Sequence, residues 1–451
     1  MDSEIFVYDA DTYEKDIQGA YRTAAFDIYL SGQFSSDVSK LSKSDLGTFV
    51  HEYIHFLQNV STPWGIHAGI VRNNDIAEMV HSYDNAQEIH FPYHFTVSSL
   101  QLEYRKWLQC SIGTGRSSLR IDTSRPTGFY FTNVPDMPIS MHNVHFHFFA
   151  EDGQEHDIII GATIIKESMA LMIQSFVDPN IHEHPDIPYN VIEILCRNHF
   201  TNIANDKQKI VQLCYISLFS LDPGFALMCE LKNANLHPEL SGSALYRDFM
   251  SRDVVIRGIG RLSKAQHFRQ LLGNYRQSIR GILPCDLHYI GYVLNEVERL
   301  ILMPPLMGIV ELIQNNPKAI QDLIGWLGMP YVHTSDGTQF YLQRSDDEHF
   351  FEDVVVMSGN ASIYDYICQT IPNATCPFSY MCDDGEYICD VRPWDKGECI
   401  FTTCLEGMHL RSKRIINDKI VSNEDRWPRR SKYHPKNYLR KDVRNCVPSW
   451  D

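Results

Sequence analysis

No run of about 18 apolar residues, the length needed to cross a bilayer as a helix, occurs in this chain of 451 residues. The nearest stretch, "IIIGATIIKESMALMIQSF", is broken by Lys166 and Glu167. The opening residues, "MDSEIFVYDADTYEKD", have neither a basic n-region nor an apolar h-region, which excludes a recognisable secretory signal. Also missing are C-x2-C pairs of the structural-zinc kind, internal repeats and low-complexity tracts. Basic residues are short as well: the net charge of −16 disfavours nucleic acid as the main partner, because neutralising phosphates needs a basic surface. The expectation is a soluble, cytoplasmic protein without a membrane partner. In that setting the twelve cysteines read as reduced thiols or metal ligands rather than disulfides.

The composition, 44% hydrophobic and 21% charged, is that of a globular protein with a sizeable core. The length implies roughly two or three domains. Short strands are expected at 3–9 and 24–30. A helix follows from about Ser44, taken as N-cap, to Asn59, where "STPWG" stops it. A more polar helix is expected at about 66–83, and residues 92–110 mix β-branched and aromatic residues without a clear period. "GFYFTNV" and "NVHFHFFA" alternate like strands, and "EDGQ" turns the chain back into "HDIIIG" before a helix at about 162–176. From 190 to about 330 the periodicity is mostly helical, ending in "GIVELIQNN". The last hundred residues lose helical periodicity and gain cysteines. Boundaries fall near 240 and 345.

The stretch "FVHEYIHFLQ" carries the chemistry. On a helix His51 and His55, four apart, point the same way one turn apart, the spacing at which two imidazoles share one zinc ion. Glu52 stands beside the first ligand, placed to take a proton from a zinc-bound water and pass it to a leaving group. A chance H-E-x-x-H is expected about 0.04 times in a chain of this composition. The flanking residues are apolar almost all round, so three ionisable groups there need compensation, which zinc would supply. The alternative is two hydrogen-bonded core histidines and a surface Glu.

"HEYIH" on a helix resembles the zincin superfamily of zinc metallopeptidases. The resemblance rests on the 44–59 helix and extends to the strands and the 162–176 helix. It implies an α+β catalytic domain in which a small twisted sheet lies over the motif helix and an edge strand pairs with extended substrate. The strands before residue 44 and the 142–160 hairpin are candidates for that sheet. Position 61 is Ser, which excludes the zincins that extend the motif to a third His. The gluzincins instead take a Glu from a later helix. Glu167, in an apolar helix where a lone carboxylate demands a partner, and in an "ESMA" context like that of gluzincin-type ligands, is the leading candidate. Glu78, near the spacing of the thermolysin-like branch, and Asp75 stay open, although both lie in a polar helix. Position 171 is Leu, so the orienting carboxylate of thermolysin is missing and the partner of the ligands is unknown.

His142, His145, His147 and His156 can bind substrate, lie near the metal or serve structure. An oxyanion-stabilising Tyr or His is implied by the resemblance, with Tyr189 and Tyr215 as guesses. Six cysteines from Cys368 to Cys404, with His409 beyond, can fold around a second zinc or remain plain thiols. Cys110, Cys196, Cys214, Cys229 and Cys285 read as core packing. From Arg411 to Asp451, Lys and Arg outnumber Asp and Glu by 12 to 5, a tail that is solvated or touches an acidic partner.

These readings combine into an α+β protein: a zincin-like catalytic domain at 1–240, a helical region at 241–345 and a Cys-rich, β- and turn-rich module with a basic tail at 346–451. Its expected activity is zinc-dependent hydrolysis of peptide bonds in a protein or peptide substrate, with Glu52 catalytic and His51, His55 and Glu167 as metal ligands. A regulatory protein partner fits the helical region and tail. The competing expectations are a non-catalytic zincin scaffold that works by binding, and a zinc hydrolase of a non-peptide amide.

Overall fold

The computed structural model describes residues 18–340 apart from short breaks, together with 352–368, 413–416 and 419–422. It is an α+β protein in which helices predominate over small sheets. Strands β1 (Gly19–Arg22) and β2 (Asp27–Leu30) form an antiparallel hairpin, with Gly19 opposite Leu30 and Arg22 opposite Asp27. The chain then enters helix α1 (Lys43–Ser61). Its N-cap is Ser42 rather than the expected Ser44. Ser42 has extended backbone angles and its hydroxyl accepts from the Asp45 amide at 3.1 Å, which satisfies one of the orphan donors of the first turn.

Thr62 alone separates α1 from α2 (Pro63–Asn85). Its hydroxyl accepts from the Gly65 amide, and Pro63 has no N–H to leave unsatisfied at the first helical position. Helix α2 is mostly buried, contrary to the expected polar helix. Its polar side chains are paired inside the protein: Arg72 with Asp365, and Asp75 with Arg105 and Gln101. Residues left open in the sequence fold as α3 (Ser99–Ile112), capped by Ser98.

After β3 (Glu88–His90, preceding α3) come β4 (Gly128–Asn133), β5 (His142–Phe149) and β6 (Glu155–Ile160), an antiparallel meander in sequence order. In β5, Val144, Phe146 and Phe148 alternate into the core while His145 and His147 take the other face. Helix α4 (Ala162–Val177) follows and is buried nearly all round. The helical region contains α5 (Asp186–Tyr189), α6 (Val191–His199), α7 (Lys207–Ser217), α8 (Pro223–Leu236), α9 (Gly242–Ser251), the β7–β8 hairpin (Asp253–Ile256, Gly260–Ser263), α10 (Lys264–Ile282), α11 (Tyr289–Arg299) and α12 (Ala319–Leu327). Strand β9 (Tyr331–Thr334) then returns to the first sheet and pairs with β2 in parallel, with β10 (Gln339–Phe340) outside it, giving the order β1-β2-β9-β10.

The expected loss of helical periodicity after 345 is corrected by α13 (Glu352–Cys368). Val354, Met357, Ala361, Tyr364 and Cys368 bury one stripe, and packing against α2 outweighs the weak helix formers Gly359 and Asn360. Strand β11 (Lys413–Ile416) pairs with β12 (Lys419–Ser422), which pairs in turn with β3. Cys196 and Cys214 are buried, as expected for core thiols, whereas Cys229 is exposed because its position on α8 faces outward. The strand expected at 3–9, Cys285, the cysteines from Cys376 to Cys404 with His409, most of the 308–316 helix and most of the basic tail lie outside the described residues. Among the described residues no helix is long and apolar enough to cross a membrane.

Candidate metal centre

Helices α1 and α4 pack against each other, and β1 lies over α1. The inner face of α1 carries His51 and His55 one turn apart, and α4 supplies Glu167. The His51 Nε2 atom lies 3.1 Å from Glu167 Oε2, and His55 Nε2 lies 3.5 Å from the same oxygen. The two rings are 4.8 Å apart, at 77° to one another. Among the described residues this is the one group of three or more His, Cys, Asp or Glu whose ligand atoms converge, all within 4.8 Å. The site is inside the protein: His51 is 7% exposed and Glu52, His55 and Glu167 are each 6% exposed.

Both imidazoles are held from behind. The side-chain oxygen of Gln174 sits 3.0 Å from His51 Nδ1, and that of Gln58 sits 2.8 Å from His55 Nδ1. Gln58 Nε2 donates to the Lys166 carbonyl, which fixes the amide with its oxygen towards His55. An amide oxygen only accepts, so His55 Nδ1 carries the proton, and with the Gln174 oxygen turned to His51 its Nδ1 does too, which leaves each Nε2 a lone pair towards Glu167. Two lone pairs aimed at one carboxylate oxygen repel unless a positive charge lies among them. That charge is a proton or a cation. Two imidazole nitrogens and a carboxylate, buried and pre-oriented by outer partners, are a donor set that fits a divalent metal ion.

The electrostatics agree. Burial pushes the His51 pKa down, but the hydrogen bond to Glu167 and the charges of Glu52 and Glu167 outweigh it, and the net shift is upward. Burial pushes Glu167 up, and the positive potential of His55 with the hydrogen bond to His51 outweighs that, holding the carboxyl well below its usual range. The trio is a pocket for positive charge.

Glu52 lies on the same helix, under β1. A Cβ added to Gly19 would stand 2.9 Å from Glu52 Cγ and 3.0 Å from Oε1, so only glycine lets the strand backbone pass this close. Two residues on, Tyr21 faces the same helix: its hydroxyl accepts from Asn59, and its ring meets Phe56 edge-on. Strand period and helix period match here, with Gly19 and Tyr21 set against Glu52, Phe56 and Asn59. Among the described residues β1 is paired on one side only, to β2, and stands at the edge of its sheet.

The remaining candidates separate. Glu78 accepts from the amide and hydroxyl of Ser98 at the start of α3, and Asp75 accepts from Arg105 and Gln101, so neither joins the histidines. His142 pairs with Asp222, His145 with Asp157 and Thr132, and His147 with Glu155, all on the β4–β6 sheet. Tyr215 is buried against Ser61 as a structural residue. The Tyr189 ring is 6.3 Å from His51, with His184 4.8 Å from it. Sequence reasoning missed Gln58 and Gln174. Their spacings were the available signal: Gln58 is one turn beyond His55, and Gln174 is two turns beyond Glu167 on one helix face. A comparison with family models, curated proteins and solved structures finds no match for this chain.

Proposed function

We propose that this chain is a zinc metallopeptidase of the zincin type, gluzincin-like in its ligand set, acting on protein or peptide substrates in the cytoplasm. The observation that carries the proposal is the convergence of His51, His55 and Glu167 from two helices, with both Nδ1 atoms held by Gln58 and Gln174. Two imidazoles and one carboxylate from protein are a catalytic zinc set, which leaves a coordination position for solvent or substrate. When bound there, zinc supplies Lewis acidity towards a carbonyl and acidifies water.

The residues around it have the complementary roles. Glu52, adjacent to the first ligand, takes the proton of the attacking water and returns it to the leaving nitrogen. The outer edge of β1 offers backbone donors and acceptors to an extended chain, which would bring a peptide bond alongside Glu52. Tyr189, whose ring lies 6.3 Å from that of His51, is a hydroxyl candidate for hydrogen-bonding the developing oxyanion.

Substitution Glu52→Gln separates binding from chemistry. It should leave about one zinc per chain and lower turnover by about 1,000-fold or more, within the range by which positioned groups contribute. Zinc content with a proteome-wide comparison of cleavage in cells carrying the wild type or the variant tests this. Equal cleavage by both would remove Glu52 from the reaction.

A further inference from the structure

We infer that the cleft between the β1–β2 hairpin and the first two turns of α1 is a substrate subsite for a basic side chain, with Asp45 as its counter-charge. This inference rests on the peptidase reading above. The cleft holds about 140 Å³ and is lined by Gln18, Ser31, Gln33, Ser44, Asp45 and Thr48 among others. Its lining is polar, and Asp45 is the charged residue in it. Asp45 accepts from Ser42, and no Lys, Arg or His is paired with it among the described residues.

The cleft lies on the same helix stripe as Glu52. Asp45, Thr48 and Glu52 recur at i, i+3 and i+7, one stripe on α1. A Cβ at Gly19 would touch Thr48 Cγ2 at 3.0 Å as well as Glu52, so both side chains lie directly under β1. Asp45 precedes Glu52 by two helical turns, about 10 Å along the axis. An extended chain lying along β1 covers that distance in about three residues. The walls are pinned: Ser31 donates to the Gln18 carbonyl through both N–H and hydroxyl, Ser335 donates to the Ser31 carbonyl, and Thr48 donates to the Ser44 carbonyl. Gly32 passes over the Asp45 carboxylate, where a Cβ would come within 2.6 Å of Oδ1. A fixed polar slot with a single negative charge accepts the end of a Lys or Arg side chain and repels Asp or Glu.

The test uses the full chain and a decapeptide library in which each position in turn is Lys, Arg, norleucine or Glu. Wild type should cleave peptides with Lys or Arg two to three residues from the scissile bond about fivefold to tenfold faster than the norleucine peptides, through KM, as a partly exposed charge pair allows. Asp45→Asn should abolish that preference by raising KM for the Lys and Arg peptides to that of the norleucine peptides, with zinc content unchanged, and Gln33→Asp should increase it. Binding of the same peptides to Glu52→Gln, followed by fluorescence anisotropy, should show the same order. Cleavage without a basic preference, or a preference that survives Asp45→Asn, overturns the subsite and leaves the peptidase reading standing. If wild type cleaves none of the peptides, the peptidase reading fails, and equal binding, or none, to Glu52→Gln then overturns the subsite too.

Discussion

Exchanging Glu167 for Gln should uncouple the stability of the metal-free protein from its response to zinc. The amide has the volume of the carboxylate and can donate to His51 Nε2 across the present 3.1 Å, so it answers one of the two converging lone pairs without a buried negative charge. The metal-free variant should therefore melt within about 3 °C of wild type, a change on the order of 1 kcal/mol. The metal response differs. A ligand present at 1,000 times its dissociation constant stabilises the folded state by about 4.1 kcal/mol, or about 8–16 °C for a domain of ordinary size. Losing an anionic ligand should weaken zinc by at least about 100-fold, more than the 10–100-fold typical of outer partners. At the same zinc concentration that leaves about 1.4 kcal/mol, or about 3–6 °C. Scanning calorimetry on chelator-stripped protein, with and without zinc, reads both quantities, and elemental analysis gives the stoichiometry. An undiminished zinc shift in the variant would refute Glu167 as a ligand. A wild type indifferent to zinc would refute the site.

Three further outcomes follow from the same geometry. Gln58→Met should free His55 Nδ1 and lower zinc affinity about 10–100-fold with little change in fold, measured by competition with a chromophoric chelator. Gly19→Val should displace Glu52 and cut kcat by about 100-fold, the cost of misplacing a reacting group by about 1 Å, while zinc content stays at one per chain. Asp27 is fully buried and paired with Arg22; burial pushes its carboxyl up, but Arg22 outweighs this and holds it below the ordinary value. Its stabilisation is thus present above the unfolded pKa of about 3.9 and is lost as pH falls through the lower folded value. Asp27→Asn should cost about 3 kcal/mol at pH 7 in urea unfolding, and the gap to wild type should close as pH falls through the lowered folded pKa of Asp27.

The site was legible where a local rule was at work. His51 and His55 declare themselves by helical spacing, and Glu167 by the cost of a carboxylate in an apolar helix. The choice among Glu167, Glu78 and Asp75 needed the packing of α1 on α4, since the sequence holds no sign that Asp75 is neutralised by Arg105, 30 residues away. The same blindness made α2 look solvent-facing: periodicity counts polar residues and cannot tell that Arg72 is spent on Asp365. Gln58 and Gln174 were passed over because glutamine is common on any helix, and its meaning arises only when an imidazole nitrogen is brought to its oxygen. Residues 92–110 show no clear period because their aromatic and β-branched members suit a strand equally well, until Ser98 caps the first turn of α3.

Strand β9 has a consequence for how the molecule is assembled. The hairpin that roofs the motif helix finds its parallel neighbour in Tyr331–Thr334, and Tyr53 of α1 donates to the Gly328 carbonyl just ahead of that strand. The ribosome has released the whole H-E-x-x-H segment some 280 residues before it delivers the piece that backs the roof. A nascent chain thus holds His51 and His55 without the frame behind their helix, and the hydrolytic activity proposed above should arrive late in translation, at the earliest when residues 328–334 leave the exit tunnel.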